Sequence, residues 1–230
     1  LILLIPLLLL VYLVFRMIGY KGKDWAIYLT GILLWIISVI TLMGIGFLQL
    51  NEFSSSITQK TSDTLLIKEG SPLIIEMSDT FQPEYIIEGR DFGHEDVTVS
   101  AIDEQGSLYV SPRIKIEQAQ DDNFLLEVRK SSRGASYEKA TALASQTEFS
   151  WNLKDSLLTL DSYSRIETED KFRLQKVLVT LKVPKGRSII ISEEAEQYLE
   201  EVDNDQNFWS GDMGSKKWKM NEKQLLLQKM

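Results

Sequence analysis

The chain has 230 residues, 25 basic and 33 acidic, with one histidine and no cysteine, and its formal net charge is −8. The missing cysteines exclude disulfides, thiolate metal ligands and a cysteine nucleophile; the lone His94 excludes a multi-histidine metal centre and leaves one residue for any histidine-based triad. An acidic balance of this size argues against nucleic acid as a partner.

Two apolar runs, residues 1–15 and 25–50, open the chain around a short loop, 16–24, that carries Arg16, Lys21 and Lys23. The second run has no charged residue between Asp24 and Glu52. Its hydroxyls, Thr30, Ser38 and Thr41, can bond back to their own helix, and its length suffices for a hydrocarbon core of about 30 Å. Trp25 and Tyr28 fit the headgroup level beside the loop. The first run gives only about 22 Å of helix, so it is expected to be the truncated first arm of a transmembrane helical hairpin. Positive charge in 16–24 puts that loop in the cytoplasm. The expected location is therefore the inner (cytoplasmic) membrane, with the lipid bilayer as a partner and the C-terminal domain in the periplasm or extracytoplasmic space.

Residues 51–63 (NEFSSSITQKTSD) read as a polar linker, and residues 64–230 as an extracytoplasmic all-β domain. Beyond residue 52 the chain holds 22 basic and 31 acidic residues, a net charge of −9, so anionic headgroups should repel this part. Strand signals recur along it at 64–67, 73–77, 85–88, 97–101, 108–110, 114–117, 125–129, 149–153, 157–160 and 188–192. The clearest run is 176–183, where Val177, Val179, Leu181 and Val183 share one face before Pro184 and Gly186 break the ladder. Residues 136–147 instead place Tyr137, Ala140, Ala144 and Thr147 at helical spacing, with Ser136 as N-cap, so one short helix is expected there. A further helical turn is expected at 193–199. Many short strands with one helix give a mainly β domain, a solenoid or a sandwich.

Few residues in this domain point to chemistry. His94, in DFGHED, reads as a surface residue. Asp203, Asp205 and Asn207 are spaced like the first half of a calcium loop, but Phe208 and Gly214 stand where that loop needs Gly and Glu, so a solvated acidic loop is expected. The acidic run 193–205 fixes no pair of carboxylates at a catalytic separation. Phe208, Trp209 and Trp218 read first as core; otherwise Trp209 and Trp218 are the candidate contacts for a protein or glycan. The chain contains no G-x-S-x-G, P-loop, G-x-G-x-x-G or H-E-x-x-H pattern, and no catalytic residue, cofactor or metal is expected.

Three segments carry a family resemblance: KFRLQKVLVTLKVPKGRSIII (171–191), NFWSGDMGSKKWKM (207–220) and SPRIKIEQAQDDNFLLEVRKSSRGASYEKATALA (111–144). They resemble the C-terminal portion of PspC-domain proteins of Bacteroidota, relatives of phage shock protein C. The resemblance implies a membrane-embedded envelope-stress factor. It also implies an extracytoplasmic β-solenoid similar to adhesin-like head domains, built of strand, Pro-x-Gly, strand units. The functional expectation is a non-enzymatic, membrane-anchored envelope-stress sensor or scaffold that binds an envelope protein or glycan. An adhesin-like or structural envelope module is the alternative, and a carboxylate-dependent hydrolase of envelope polymer ranks last.

Overall fold

The computed structural model describes residues 25–51, 53–78, 86–91, 98–102, 107–167, 172–200 and 202–229. They belong to two units, Leu1–Ser54 and Ser55–Met230.

The first unit contains helix α1 (Trp25–Asn51). Ser38 Oγ and Thr41 Oγ1 donate back to the carbonyls of Leu34 and Ile37, at 2.9 and 2.8 Å, so both hydroxyls are satisfied inside the helix. No helix among the described residues is long and apolar enough to cross a membrane. The expected transmembrane helical hairpin is corrected accordingly. The other expected arm, 1–15, and the loop with Arg16, Lys21 and Lys23 lie outside the described residues, as do the side chains of Trp25 and Tyr28.

The second unit is mainly β. In chain order it contains β1 (Ser55–Leu65), β2 (Leu73–Ser78), β3 (Ile86–Asp91), β4 (Thr98–Ile102), β5 (Leu108–Val110), β6 (Arg113–Gln118) and β7 (Phe124–Gly134). Helix α2 (Tyr137–Gln146) follows, then β8 (Trp151–Lys154), β9 (Leu157–Asp161), β10 (Ser164–Ile166), β11 (Lys176–Val183) and β12 (Ser188–Ile191). The one-turn helix α3 (Glu193–Glu196), a 3₁₀ turn (Ser210–Asp212), β13 (Lys216–Met220) and β14 (Leu225–Gln228) complete it.

Three sheets result, ordered β1-β7-β11-β6, β10-β5-β4-β3 and β14-β13-β12-β2-β9-β8. In the first, β11 runs parallel to β6; in the six-stranded sheet β12 runs parallel to β2, and β2 to β9. The Pro184–Gly186 turn links the two sheets. Gly186 has φ +80°, a backbone region closed to most residues with a Cβ, and Arg187 N–H donates to Pro184 O at 3.1 Å. A strand, a Pro-x-Gly turn and a second strand thus pass from one sheet to the next with parallel neighbours, which is the solenoid-like unit the resemblance implies. Val177, Val179, Leu181 and Val183 are buried, as their alternation requires, and share one core with Leu73, Ile75, Leu158, Leu160, Ile189 and Ile191.

The polar stretch expected to be a linker is also different: residues 55–65 are strand β1, paired with β7 along its whole length. Thr, Ser and Gln alternate across both of its faces, so no apolar period marks it. Its backbone groups are satisfied by the open edge of β7. On its inner side Gln59 Nε2 donates to Thr141 O at 3.2 Å and Ser145 Oγ at 2.8 Å, both on α2.

Helix α2 forms where its Ala-rich face was expected. Ser136 accepts from Lys139 N–H as N-cap, and Ala140 and Ala144 are wholly buried. Ser132 Oγ donates to Ala140 O, and Lys130 Nζ donates at 2.8 Å to Thr147 O at the helix C-terminus, where a cation complements the helix dipole. The close approach is set by Gly134, because a Cβ there would lie 2.7 Å from Ala140 N. Gly134→Ala should therefore lower stability by about 2 kcal/mol in denaturant unfolding, whereas Gly211→Ala, with open space around it, should change it little.

Candidate partner-binding groove

The loop after α3 is organised by one side chain. Asn204, 7% exposed, donates through Nδ2 to Val202 O (3.0 Å) and Phe208 O (2.9 Å) and accepts from Phe208 N–H through Oδ1 (2.8 Å). A single amide thereby closes residues 202–208 into a ring, and Asn207 takes φ +54°, a conformation asparagine tolerates better than most residues. Asp205 fastens this ring to β14: its Oδ1 accepts from Leu227 N–H at 3.0 Å, and its own N–H donates to Leu225 O at 3.0 Å. Ser210 Oγ donates to Glu200 O at 2.5 Å, and Glu196 Oε2 accepts from Gly214 N–H at 2.7 Å.

The aromatic residues of this region divide. Trp218 is wholly buried, its Nε1–H donates to Met213 O at 3.0 Å, and Phe208 meets it edge-on at 6.0 Å between ring centroids. Trp218 is thus a core residue, in keeping with its first reading, and the alternative that makes it a partner contact is overturned. Trp209 follows the anchored Phe208 and is 82% exposed, although an indole is costly to leave in water. It borders an open groove of about 570 Å³ whose lining includes Asp203, Asn207, Phe208, Ser210 and Gln224.

The carboxylates of the half calcium loop do not converge. Asp205 is engaged with β14, Asp203 borders the groove, and no group of three or more His, Asp or Glu that could hold a metal ion occurs among the described residues. His94 lies outside the described residues. Of the acidic run, residues 193–196 form α3, capped by Ser192, whose Oγ accepts from Ala195 N–H at 3.3 Å.

A second polar cluster escapes sequence reasoning altogether. Glu127, 2% exposed in the middle of β7, is reached by Lys182 at 2.7 Å, Lys60 at 2.8 Å and Arg129 at 3.0 Å. Each partner lies on the solvent-side row of a different strand or two residues along β7, so only the strand register brings them together. The Lys182 hydrogen bond, then that of Lys60, with burial opposing and Arg129 adding, lowers the Glu127 carboxyl from 4.5 to about 2.

Residues 101–228 match the family model of the Toast-rack domain found in some PspC proteins, a β-solenoid-like fold. The chain belongs to this Toast-rack family. No curated protein matches it. A crystal structure of a putative adhesin from Bacteroides fragilis NCTC 9343 is similar at 16% identity and a TM-score of 0.23, over 60% of this chain and 40% of that one. The chain thus spans less than half the length of that protein.

Because the folded Glu127 pKa lies below its unfolded value, its contribution is complete above pH 4.5 and fades as pH falls toward about 2. Glu127→Gln should cost about 2 kcal/mol at pH 7, since three cations lose their counter-ion. Parent and variant stabilities, followed by urea unfolding across that pH range, should converge towards pH 2.

Proposed function

We propose that the chain is a non-enzymatic, PspC-type envelope protein whose β unit lies outside the cytoplasm at the inner membrane and holds an envelope glycan in the Trp209 groove. Membership of the Toast-rack family supports the PspC-type assignment. One observation carries the binding role: an indole 82% exposed on a loop that is otherwise hydrogen-bonded at nearly every turn. A loop held this firmly fixes the backbone that carries the exposed aromatic, so little backbone ordering cost remains when a ligand stacks on it. Asn207, Gln224, Asp203 and Ser210 supply amide, carboxylate and hydroxyl groups beside it. That mixture suits a sugar ring, apolar on its faces and hydroxylated around its edge. Asp203 is the one carboxylate among the described lining residues, which favours holding a polymer over cleaving it by a two-carboxylate route.

Co-sedimentation of the detergent-solubilised full chain with purified peptidoglycan tests the groove. Trp209→Ala should weaken retention about tenfold with an unchanged unfolding curve, and Trp209→Phe should restore most of it. Equal retention of parent and Trp209→Ala would remove the groove from the proposal.

Compartment is tested separately. Leu66 is 82% exposed in a chain without cysteine, so Leu66→Cys offers one accessible thiol. Intact cells with a permeabilised outer membrane should label it with an impermeant maleimide; labelling only after lysis would place the β unit in the cytoplasm.

A further inference from the structure

The net charge of −9 beyond residue 52 conceals a sorted distribution. Strand alternation and register place Lys60, Arg113, Lys115, Arg129, Arg133, Lys176 and Lys182 on the solvent side of the β1-β7-β11-β6 sheet, against only Glu117 and Glu127. This face carries a net charge of +5, in a unit where acids outnumber bases by nine. The opposite side of the same strands is the apolar core, so the face cannot turn inward.

Its two carboxylates do not neutralise it. Glu117 pairs with Lys115 at 2.7 Å, and buried Glu127 draws Lys60, Arg129 and Lys182 together, leaving that cluster two positive charges in surplus. Lys60 and Lys115 remain 48% and 43% exposed. Thr58, Ser62 and Thr64 are exposed on the same side of β1 and add hydroxyls. Thr180, which pairs in register with Glu127, keeps a buried Oγ1 without a hydrogen-bond partner.

We propose that this sheet face is a docking surface for an acidic polysaccharide, a polymer carrying about one carboxylate per sugar. Neighbouring strands lie about 4.8 Å apart and same-face residues about 6.8 Å apart along a strand, so the cations form a sparse, flat array. Duplex nucleic acid presents a charge every ~1.7 Å of its axis, a far denser field that also meets the acidic remainder of the unit. A sparsely charged chain is held locally, because at physiological salt the acidic surroundings are screened beyond about 8 Å. The face shares no residue with the Trp209 groove, so the two surfaces stand or fall independently.

Fluorescence anisotropy of labelled polygalacturonate, titrated with the full chain in detergent, tests the proposal. Binding should saturate, weaken as salt rises and be absent with neutral dextran. Arg113→Gln, Lys115→Gln and Lys176→Gln together avoid the Glu127 cluster; they should weaken binding on the order of a hundredfold with an unchanged unfolding curve. Lys217→Gln, Lys219→Gln and Lys223→Gln, from β13 and the turn after it, should leave it unaltered, as should Trp209→Ala. No binding by the parent, equal binding by the first triple variant, loss in the second, or tighter binding of duplex DNA than of polygalacturonate would each overturn it.

Discussion

The β unit depends on one continuous segment, β11 through the Pro184–Gly186 turn to β12. It is an interior strand of two sheets at once, between β7 and β6 in the first and between β13 and β2 in the second. Pro184 cannot donate to a ladder, so the pairing of the first sheet ends where the chain must leave it, and Gly186 accepts the positive φ that the change of direction demands. The inward residues of both strands then meet in a single cluster. Each fully buried aliphatic side chain contributes about 1.5–3 kcal/mol, so the crossing of the turn sets how much of that burial is realised.

Around this core the loops are closed by side chains rather than by further sheet. Asn204 makes three hydrogen bonds to two residues, and Asp205, Ser210 and Glu196 each fix a backbone group of another segment. Buried backbone groups outside a ladder need such partners, and short polar side chains supply them at small entropic cost. The exposure of Trp209 is a consequence. Its neighbour Phe208 is committed to Trp218, the 3₁₀ turn at Ser210–Asp212 follows at once, and the indole faces away from the core.

How much of this was legible follows from where the deciding information sits. The strand at 176–183 and the helix at 136–147 announce themselves because one face of each is apolar at its own period. Strand β1 does not, because polar residues occupy both faces and its strand character comes from the edge of β7, remote in sequence. Trp209 and Trp218 are the same residue type nine positions apart, and only the intervening turn decides that one is core and the other surface. Long apolar runs invite a transmembrane reading from composition alone, whereas no helix among the described residues is both long and apolar enough to cross a membrane.

Net charge proves the weakest of the sequence-level guides. It sums over the molecule, whereas a bound polymer experiences charges within about a Debye length. A strand segregates its odd and even residues, so lysines alternating with valines, as in KVLVTLKV, send Val177, Val179, Leu181 and Val183 inward and both lysines outward. Laying three such strands beside β1 multiplies that segregation across a sheet without altering composition. The buried Glu127 strengthens the effect: one carboxylate brings three cations closer than their mutual repulsion would otherwise permit, and it balances only one of them. An acidic protein can in this way carry a basic face, and it is the register of the strands, not the composition of the chain, that creates it.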